Sequence, residues 1–140
     1  MQPAAIIPHL GFNGTCAEAF RFYAEVLGGE ITFMMTYGES PEKDKLPPEL
    51  VDHVIHATIK IGDFYIMGGD APPPMYKAPV GYCTNLQFPN SVAEGERVFR
   101  RLAEEGSEIM PWGETFWSKG FGMCIDRFGQ HWMINTGELM

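Results

Sequence analysis

The sequence contains an internal repeat, in which one succession of strand, turn, helix and helix-ending glycine occurs twice. Phe12 corresponds to Phe88 and Thr15 to Ser91, so both pairs are displaced by 76 positions. The same five features recur in the same order, which is improbable by chance. The repeat therefore predicts two copies of one supersecondary unit.

Each copy contains one predicted amphipathic helix. Both helices begin with a Ser/Thr-x-x-Glu pattern, from Thr15 to Glu18 and from Ser91 to Glu94, which predicts a capping box. Gly28 is expected to end the first helix and Gly106 the second. Helical spacing assigns the buried faces to Ala19, Phe22, Tyr23, Val26 and Leu27 in the first helix, and to Gly95, Val98, Phe99 and Leu102 in the second.

Three extended segments follow each helix, so each copy is predicted to be a βαβββ module. The segments are Glu30–Tyr37, Val54–Ile61 and Phe64–Gly68, and then Glu108–Trp112, Gly120–Asp126 and Gln130–Thr136. We expect one α+β domain over residues 1–140, with module one at 1–70, a proline-rich linker at 71–79 and module two at 80–140. Joined edge to edge, the modules would form a curved mixed sheet with helices outside and a ligand-sized cleft on the concave face.

Composition excludes several partners. The formal net charge of −8 argues against nucleic acid and against anionic membranes, since both need clustered Lys and Arg. No segment approaches the roughly 20 apolar residues of a membrane span. Three widely spaced cysteines without a CxxC pair indicate free thiols in a reducing compartment, so a cytoplasmic location is expected.

Strand alternation separates the residues that face the helices from those that face the predicted cleft. His9 lies in the cleft-facing row of the first strand, and Asn85 is its counterpart in the second copy. Met133 is expected to face the cleft from the last strand. The residues predicted to pack against the helices are Leu10, Phe12, Trp132 and Ile134.

Several motifs resemble the glyoxalase/bleomycin-resistance (vicinal oxygen chelate) superfamily. The first are Pro8-His9-Leu10-Gly11-Phe12, Ala17-Glu18-Ala19-Phe20 and Leu27-Gly28-Gly29. The runs Trp112–Trp117, Asp126–Gly129 and Trp132–Asn135 are similar to its PhnB-like branch, whose members carry the label 3-demethylubiquinone 3-methyltransferase-like. The resemblance covers nearly the whole chain, and it implies paired βαβββ modules assembled as a homodimer.

The resemblance also implies a metal cofactor for the catalytic members of the superfamily. In them a divalent ion binds His and Glu ligands from the first and last strands of the modules and acts as a Lewis acid. The superfamily includes isomerases, dioxygenases, fosfomycin-modifying transferases and non-catalytic drug-binding proteins. The fold therefore does not determine the reaction.

This chain keeps only part of the implied ligand set. His9 matches the first-strand position, whereas the other positions fall on Met133, on Ile66 or Met67, and on Cys83, Thr84 or Asn85. Thioether and apolar groups are poor ligands for hard divalent ions, so we predict a degraded metal site and leave the cofactor unknown. His53 and His56 are three residues apart on a strand and are expected on opposite faces.

Glu114 is the carboxylate best placed to join His9 in an altered metal site. The alternative, which we favour, is that Glu114 caps Thr115 or neighbouring backbone amides. The aromatic residues from Trp112 to Phe121 have two interpretations as well. They form core or interface packing, which we favour, or they form a stacking wall for a flat or amphiphilic ligand.

Three functions remain open. The first is a small-molecule-binding protein whose ligand contacts His9, Asn85, Glu114, Trp117, Phe121 and Met133. The second is a metal-dependent isomerase, lyase or oxygenase with an altered ligand set. The third is a dimeric assembly or regulatory module. Methyl transfer is not favoured, because no glycine-rich turn lies in a parallel βαβ frame.

Overall fold

The computed structural model describes residues 1–139 and contains two compact units, of which the first covers residues 1–78 and the second starts at Pro79. Each unit contains one βαβββ module, as the repeat predicts. The first has β1 (His9–Phe12), α1 (Cys16–Leu27), β2 (Glu30–Thr36), β3 (Val54–Ile61) and β4 (Phe64–Asp70). The second has β5 (Thr84–Gln87), α2 (Val92–Ala103), β6 (Ser107–Gly113), β7 (Phe121–Ile125) and β8 (His131–Asn135).

Each unit has its own four-stranded mixed sheet. The strand orders are β1-β4-β3-β2 and β5-β8-β7-β6, with one parallel pair, β1–β4 or β5–β8, in each sheet. This arrangement places the first strand of a module beside its last strand. As a result, His9 lies opposite Met67, and Asn85 lies opposite Met133. The α+β class predicted from the sequence is confirmed.

The apolar runs Ile6–Phe12 and Gly81–Phe88 predict the first strand of each module, and the observed strands β1 and β5 are shorter than these runs. β1 begins at His9 rather than Ile6, because Pro8 has no amide proton to continue the ladder. β5 begins at Thr84 rather than Gly81. Thr84 pairs with Trp132, the second residue of β8, so β8 offers almost no partner for residues before Thr84.

The buried face of each helix is close to the predicted one. In α2 all four predicted positions are buried, and Leu10, Phe12, Trp132 and Ile134 are buried as expected. In α1, Phe22 and Leu27 are only half-buried, and Phe20 lies in the core instead. Phe20 can pack there because Gly68 on β4 leaves room: a Cβ at Gly68 would lie 2.7 Å from the Phe20 ring. No helix within residues 1–139 is long and apolar enough to span a membrane.

The predicted capping box of α1 is wrong, since the Thr15 side chain caps no backbone amide. The carboxylate of Asp70, at the end of β4, replaces it. One oxygen accepts hydrogen bonds from the amides of Gly14 at 2.8 Å and Cys16 at 3.1 Å, and the other accepts from Val54 at 2.8 Å. Asp70 is 3% exposed, and a buried charged acceptor bonds amides more strongly than a hydroxyl does.

The predicted capping box of α2 is wrong as well. Ser91 makes no side-chain cap, and the Glu94 carboxylate binds the Arg97 guanidinium on the helix surface at 2.6 Å. Met67 and Met133 occupy equivalent positions in the last strands of the two modules, and they are 66 positions apart. The same displacement makes Thr136 the equivalent of Asp70. The Thr136 hydroxyl donates to the Gly120 carbonyl at 2.9 Å. No carboxylate therefore takes the place of Asp70 at this helix.

The end of α2 also differs from the prediction. The helix ends at Ala103, and Glu105, rather than a glycine, adopts a left-handed conformation with φ of 58°. Gly106 has a different role, since a side chain there would collide with the backbone carbonyl of Ile125. The glycine is needed for close approach of β6 and β7, whereas Gly28 ends α1 in the left-handed conformation as predicted.

The connection between β2 and β3 forms three single-turn 3-10 helices, at Tyr37–Glu39, Lys43–Lys45 and Pro48–Leu50. The amide of Gly38 donates to the Val51 carbonyl at 2.9 Å, which closes the segment at its base. A capping box absent from our predictions occurs here, because Glu39 accepts from the amide and hydroxyl of Thr36. These hydrogen bonds lower the pKa of the Glu39 carboxyl.

A second buried carboxylate fixes the hairpin between β7 and β8. Asp126, 3% exposed, accepts from the amides of Phe128 at 2.8 Å and Gln130 at 3.0 Å. Its other oxygen accepts from the indole nitrogen of Trp132 at 2.8 Å. The fully buried Trp132 therefore has a partner for its polar atom, as buried indoles require.

Replacing Asp70 with Asn is expected to destabilise the fold. The substitution puts an amide donor where one oxygen now accepts a backbone N–H, so a buried donor loses its partner at a cost of roughly 2 kcal/mol. Urea unfolding followed by circular dichroism measures this difference. The matched control is Asp63→Asn at the exposed β3–β4 turn, which should change stability by less than about 0.5 kcal/mol. Equal stability of the two variants would contradict the capping role.

The three cysteines are expected to differ in reactivity. Burial and the nearby Asp70 raise the pKa of Cys16 to about 12, and burial with the nearby Asp126 raises that of Cys124 to about 12. At pH 8 only about one such thiol in 10⁴ is ionised, and the thiolate is the reactive form. Mass spectrometry after iodoacetamide treatment at pH 8 should show modification of the half-buried Cys83 first. Urea-unfolded protein should react at all three, whereas early modification of Cys16 would contradict the assignment.

Candidate functional site

A surface pocket of about 590 Å³ lies in the second unit. Its walls come from the residues around the start of α2, the loop of residues 114–119 between β6 and β7, and the segment after β8. Of the residues selected from the sequence, Glu114 and Trp117 line this pocket. The pocket therefore brings together two of the six residues for which a ligand contact is predicted.

Local hydrogen bonds hold the loop that forms one wall. The amide of Thr115 donates to the Ser118 carbonyl at 2.8 Å, and the Thr115 hydroxyl donates to the same oxygen at 3.4 Å. The buried Ser118 hydroxyl donates to the Gly120 carbonyl at 2.6 Å and lies 3.3 Å from the Thr136 hydroxyl. The loop is thus fixed from within and presents Glu114 and Trp117 at its surface.

Aromatic residues give this wall its apolar part. The rings of Phe116 and Trp117 meet edge to face with centroids 4.7 Å apart, and Phe116 is 96% exposed. Phe121 also packs against Trp117, with ring centroids 5.2 Å apart, and is buried, so it supports the indole and does not line the pocket. Trp112 packs against Phe99 of α2 at 5.5 Å. The packing interpretation therefore describes Phe121 and Trp112, whereas Trp117 forms a pocket wall.

Charged groups at the pocket are available to a ligand. Neither Glu114 nor Lys119 forms a hydrogen bond or an ion pair with another residue of the described chain, 1–139. Glu114 does not cap Thr115, because the amide and hydroxyl of Thr115 both bond Ser118. Glu138 differs, since it accepts a hydrogen bond from Asn90 at 3.1 Å. Sequence reasoning selected Glu114 but missed Lys119.

Asn85 and Met133 lie elsewhere in the second unit, on the sheet face opposite α2. Asn85 is exposed and donates to the Gln87 side chain at 2.9 Å. Met133 pairs in register with Asn85 on one side and with Met123 on the other, and Met123 in turn pairs with Met110. This face therefore carries a row of one amide and three thioethers.

His9 lies in the first unit, on the sheet face opposite α1. Its ring stacks on that of His56, with centroids 6.1 Å apart and planes inclined by 28°. His53 lies apart from this pair: its ring packs against Gly14, and its buried Nδ1 has no hydrogen-bond partner within residues 1–139. The prediction that His53 and His56 point to opposite faces of one strand does not apply, because His53 precedes β3. Sequence reasoning missed the His9–His56 pair because the two residues belong to strands on either side of β4.

The residues at the metal positions implied by the superfamily do not fit a hard divalent ion. His9 faces Met67, and Asn85 faces Met133, so each position with a nitrogen or amide donor is beside a thioether. Within residues 1–139 no three His, Cys, Asp or Glu side chains form a group that could hold a metal. Hard ions require several oxygen ligands, which neither sheet face supplies at these positions.

Comparison with known proteins relates the whole chain to one family. The family model 3-demethylubiquinone-9 3-methyltransferase matches residues 4–135. Protein YjdN of Escherichia coli strain K12 is 35% identical over an alignment of 137 positions, and the alignment covers 92% of this chain and 92% of YjdN.

Two solved structures resemble the fold closely. Protein PA1353 from Pseudomonas aeruginosa has 41% identity and a TM-score of 0.87 over 96% of this chain and 98% of its own. The PhnB protein from Bacillus cereus has 27% identity and a TM-score of 0.78 over 94% and 98% of the two chains. The chain belongs to the 3-demethylubiquinone-9 3-methyltransferase family, in the PhnB-like branch of the glyoxalase/bleomycin-resistance superfamily.

Proposed function

We propose that this chain is a small-molecule-binding protein of the PhnB-like branch and that its ligand occupies the pocket beside Trp117. The proposal rests on the combination of an aromatic wall with two charged side chains, Glu114 and Lys119, that pair with no other residue of the described range 1–139, in a pocket of about 590 Å³. Ligand sites commonly combine an apolar surface with a few polar groups that fix orientation, and their volumes lie in this range.

The proposed ligand is a flat, ring-based molecule with an acidic hydroxyl or another anionic substituent. Trp117 offers a surface for stacking, and edge-to-face packing against Phe121 holds the indole in place. Lys119 supplies a positive charge for the anionic substituent. The family name supports this class, because a demethylubiquinone is a flat ring that carries a hydroxyl group.

Binding is proposed here without methyl transfer. Enzymes that bind methyl donors through a glycine-rich turn place it in a parallel βαβ frame. Each sheet of residues 1–139 has one parallel pair, which joins the first strand of the module to the last rather than to the next. The second hypothesis, a metal-dependent enzyme built on His9 and Glu114, has no comparable support, because the donor set does not fit a hard ion.

The proposed ligand contacts all lie in this pocket. Trp117 and Lys119 are the proposed contact residues, Phe121 supports Trp117, and Glu114 lines the pocket as a like charge that the anionic ligand must approach. Roles for His9, Asn85 and Met133 in ligand binding remain predictions. The three free cysteines favour a reducing compartment, so we also propose a cytoplasmic location.

A hydroxylated naphthoquinone, lawsone, tests the pocket, since it is flat and anionic at neutral pH. Isothermal titration calorimetry should detect binding to the native chain, and NMR should show that the Trp117 indole signal shifts on titration. Trp117→Ala should weaken binding by at least about tenfold through loss of the stacking surface. Lys119→Met should weaken it as well, and Glu114→Gln should strengthen it by removing a like charge.

The matched control is Phe64→Ala, which removes an aromatic ring of 77% exposure from the first unit and should leave binding unchanged. Equal affinity of the native chain and Trp117→Ala would overturn the pocket assignment. Absence of any heat or spectral change with lawsone would overturn the proposed ligand class.

Homodimerisation has support of its own. One outer strand of each sheet, β2 in the first and β6 in the second, exposes apolar side chains: Phe33 is 44% exposed, Ile109 50% and Met110 41%. Exposed apolar groups on outer strands are typical of surfaces that another chain covers. We propose that one or both of these strands contribute to a dimer interface.

Light scattering on the native chain at micromolar concentration should give twice the mass of one chain. Phe33→Asp or Ile109→Asp should shift the population towards the monomer, because a charge would be buried in the interface. Phe64→Asp, at an equally apolar position on the β3–β4 hairpin, should leave the mass unchanged. A native chain that is monomeric at this concentration would contradict the proposed dimer.

A further inference from the structure

We propose that the turn Asn13-Gly14 is a conditional deamidation site, which the Asp70 carboxylate keeps unreactive in the folded chain. Asparagine deamidates most readily where a glycine follows it, because glycine has no side chain to obstruct ring closure. Asn13 is the only one of the four asparagines in the sequence that precedes a glycine. The site lies in the first unit and is independent of the Trp117 pocket.

The reaction uses the amide nitrogen of Gly14 as its nucleophile. After this nitrogen loses its proton, it attacks the side-chain carbonyl carbon of Asn13. The new C–N bond closes a succinimide ring, and the side-chain nitrogen gains a proton and leaves as ammonia. Water then opens the ring at either carbonyl and leaves aspartate or isoaspartate at this position. Water is the only co-reactant, so the step needs no cofactor.

The Asn13 side chain is available for this attack. Asn13 is exposed, and its carboxamide forms no hydrogen bond within residues 1–139. Asn90, in the turn before α2, differs because its carboxamide donates to Glu138 at 3.1 Å and because a serine follows it. The electrophile at Asn13 is therefore free, and the nucleophile decides whether the ring forms.

The Gly14 amide is held by a buried anion. It donates to the Oδ1 atom of Asp70 at 2.8 Å, and Asp70 is 3% exposed. Loss of the amide proton would place a second negative charge beside the carboxylate in a poorly hydrated site, which is strongly unfavourable. A carboxylate is also far too weak a base to remove an amide proton. Asp70 therefore suppresses the nucleophile instead of activating it.

The reaction becomes possible when the start of α1 separates from the end of β4. The same Asp70 oxygen accepts from the amide of Cys16, so this movement frees both amides together. Native proteins open locally in this way, and a slow reaction of the open form follows the population of that form. The deamidation rate of Asn13 therefore measures how often the start of this helix detaches.

The products oppose reattachment of the helix start. Aspartate and isoaspartate both add a negative charge close to the buried Asp70 carboxylate. Isoaspartate also adds a carbon atom to the main chain ahead of Gly14. The hydrogen bonds from Gly14 and Cys16 to one carboxylate oxygen require both amides in fixed positions. A transient opening is thereby converted into a permanent one.

Incubation of the full chain at pH 8, followed by digestion and mass spectrometry of the peptide that contains Asn13, tests the proposal. The native chain should deamidate at least about tenfold more slowly than the chain unfolded in guanidinium chloride, because only its open fraction reacts. Enzymatic isoaspartate detection identifies the product. Equal rates in the native and unfolded chains would overturn the proposal.

Val80→Asn supplies a matched control, because it creates the same dipeptide before a glycine of similar conformation. Val80 is 82% exposed, and Gly81 has φ of 83° against 94° for Gly14. The Gly81 amide donates no hydrogen bond within residues 1–139. In the same native sample, the introduced asparagine should deamidate at least about tenfold faster than Asn13. Similar rates at the two positions would contradict protection by Asp70.

Removal of the acceptor tests the role of Asp70 directly. Asp70→Ala should raise the native rate at Asn13 at least about tenfold, whereas Asp126→Ala, at the buried carboxylate of the second unit, should raise it much less. An unchanged rate in Asp70→Ala, or an equal rise in both variants, would refute the specific role.

Hydrogen exchange of the native chain gives the same test without substitution, and it decides the matter if Asp70→Ala does not fold. The Gly14 amide should exchange at least about tenfold more slowly than the Gly81 amide, since only Gly14 has an acceptor. Equal exchange at the two glycines would show that Asp70 does not hold the amide and would overturn the proposal.

Discussion

The first unit depends on one buried carboxylate. Asp70 bonds the amides of Gly14, Cys16 and Val54, which belong to the turn before α1, the start of α1 and the start of β3. A single charged group at the end of β4 thereby joins the helix to the sheet and aligns β3 beside β4. Loss of an acceptor here affects three elements together, because each buried amide needs a partner.

The second unit fixes the corresponding region with hydroxyl groups instead of a carboxylate, and the pocket lies beside them. Thr136 takes the position of Asp70 and bonds the Gly120 carbonyl. With Ser118 it forms a hydroxyl network that fixes the loop beside Trp117. Asn90, with φ of 63°, stands where the first unit has Gly14, with φ of 94°. Asn90 also binds Glu138. In the first unit the Asp70 carboxylate bonds the backbone at the start of α1. The second unit has no carboxylate at the equivalent position, Thr136, and its pocket lies at the start of α2.

The features that depend on the periodicity of apolar residues could be predicted from the sequence. The features that depend on strand register, or on which of several groups forms a hydrogen bond, could not. The four buried positions of α2 and the duplicated topology follow from spacing alone. The capping boxes failed because a distant carboxylate, Asp70, and a surface partner of Glu94, Arg97, compete for the same groups. The His9–His56 contact depends on strand order, which places β4 between the two strands. Lys119 lies in a loop without periodicity, so no pattern indicated that it would share a pocket with Glu114.

The two modules differ in length mainly at one connection. Equivalent positions are 76 residues apart before and within the helices but 66 apart in the last strands, as Met67 and Met133 are. Most of the difference lies between the second and third strands of each module, where residues 37–53 correspond to residues 114–120. The longer connection folds into 3-10 turns, and the shorter one carries Trp117. Loop length is inexpensive in conformational entropy compared with sheet register. Related proteins can thus acquire new ligand preferences by insertion or deletion at this single connection, while both sheets remain unaltered.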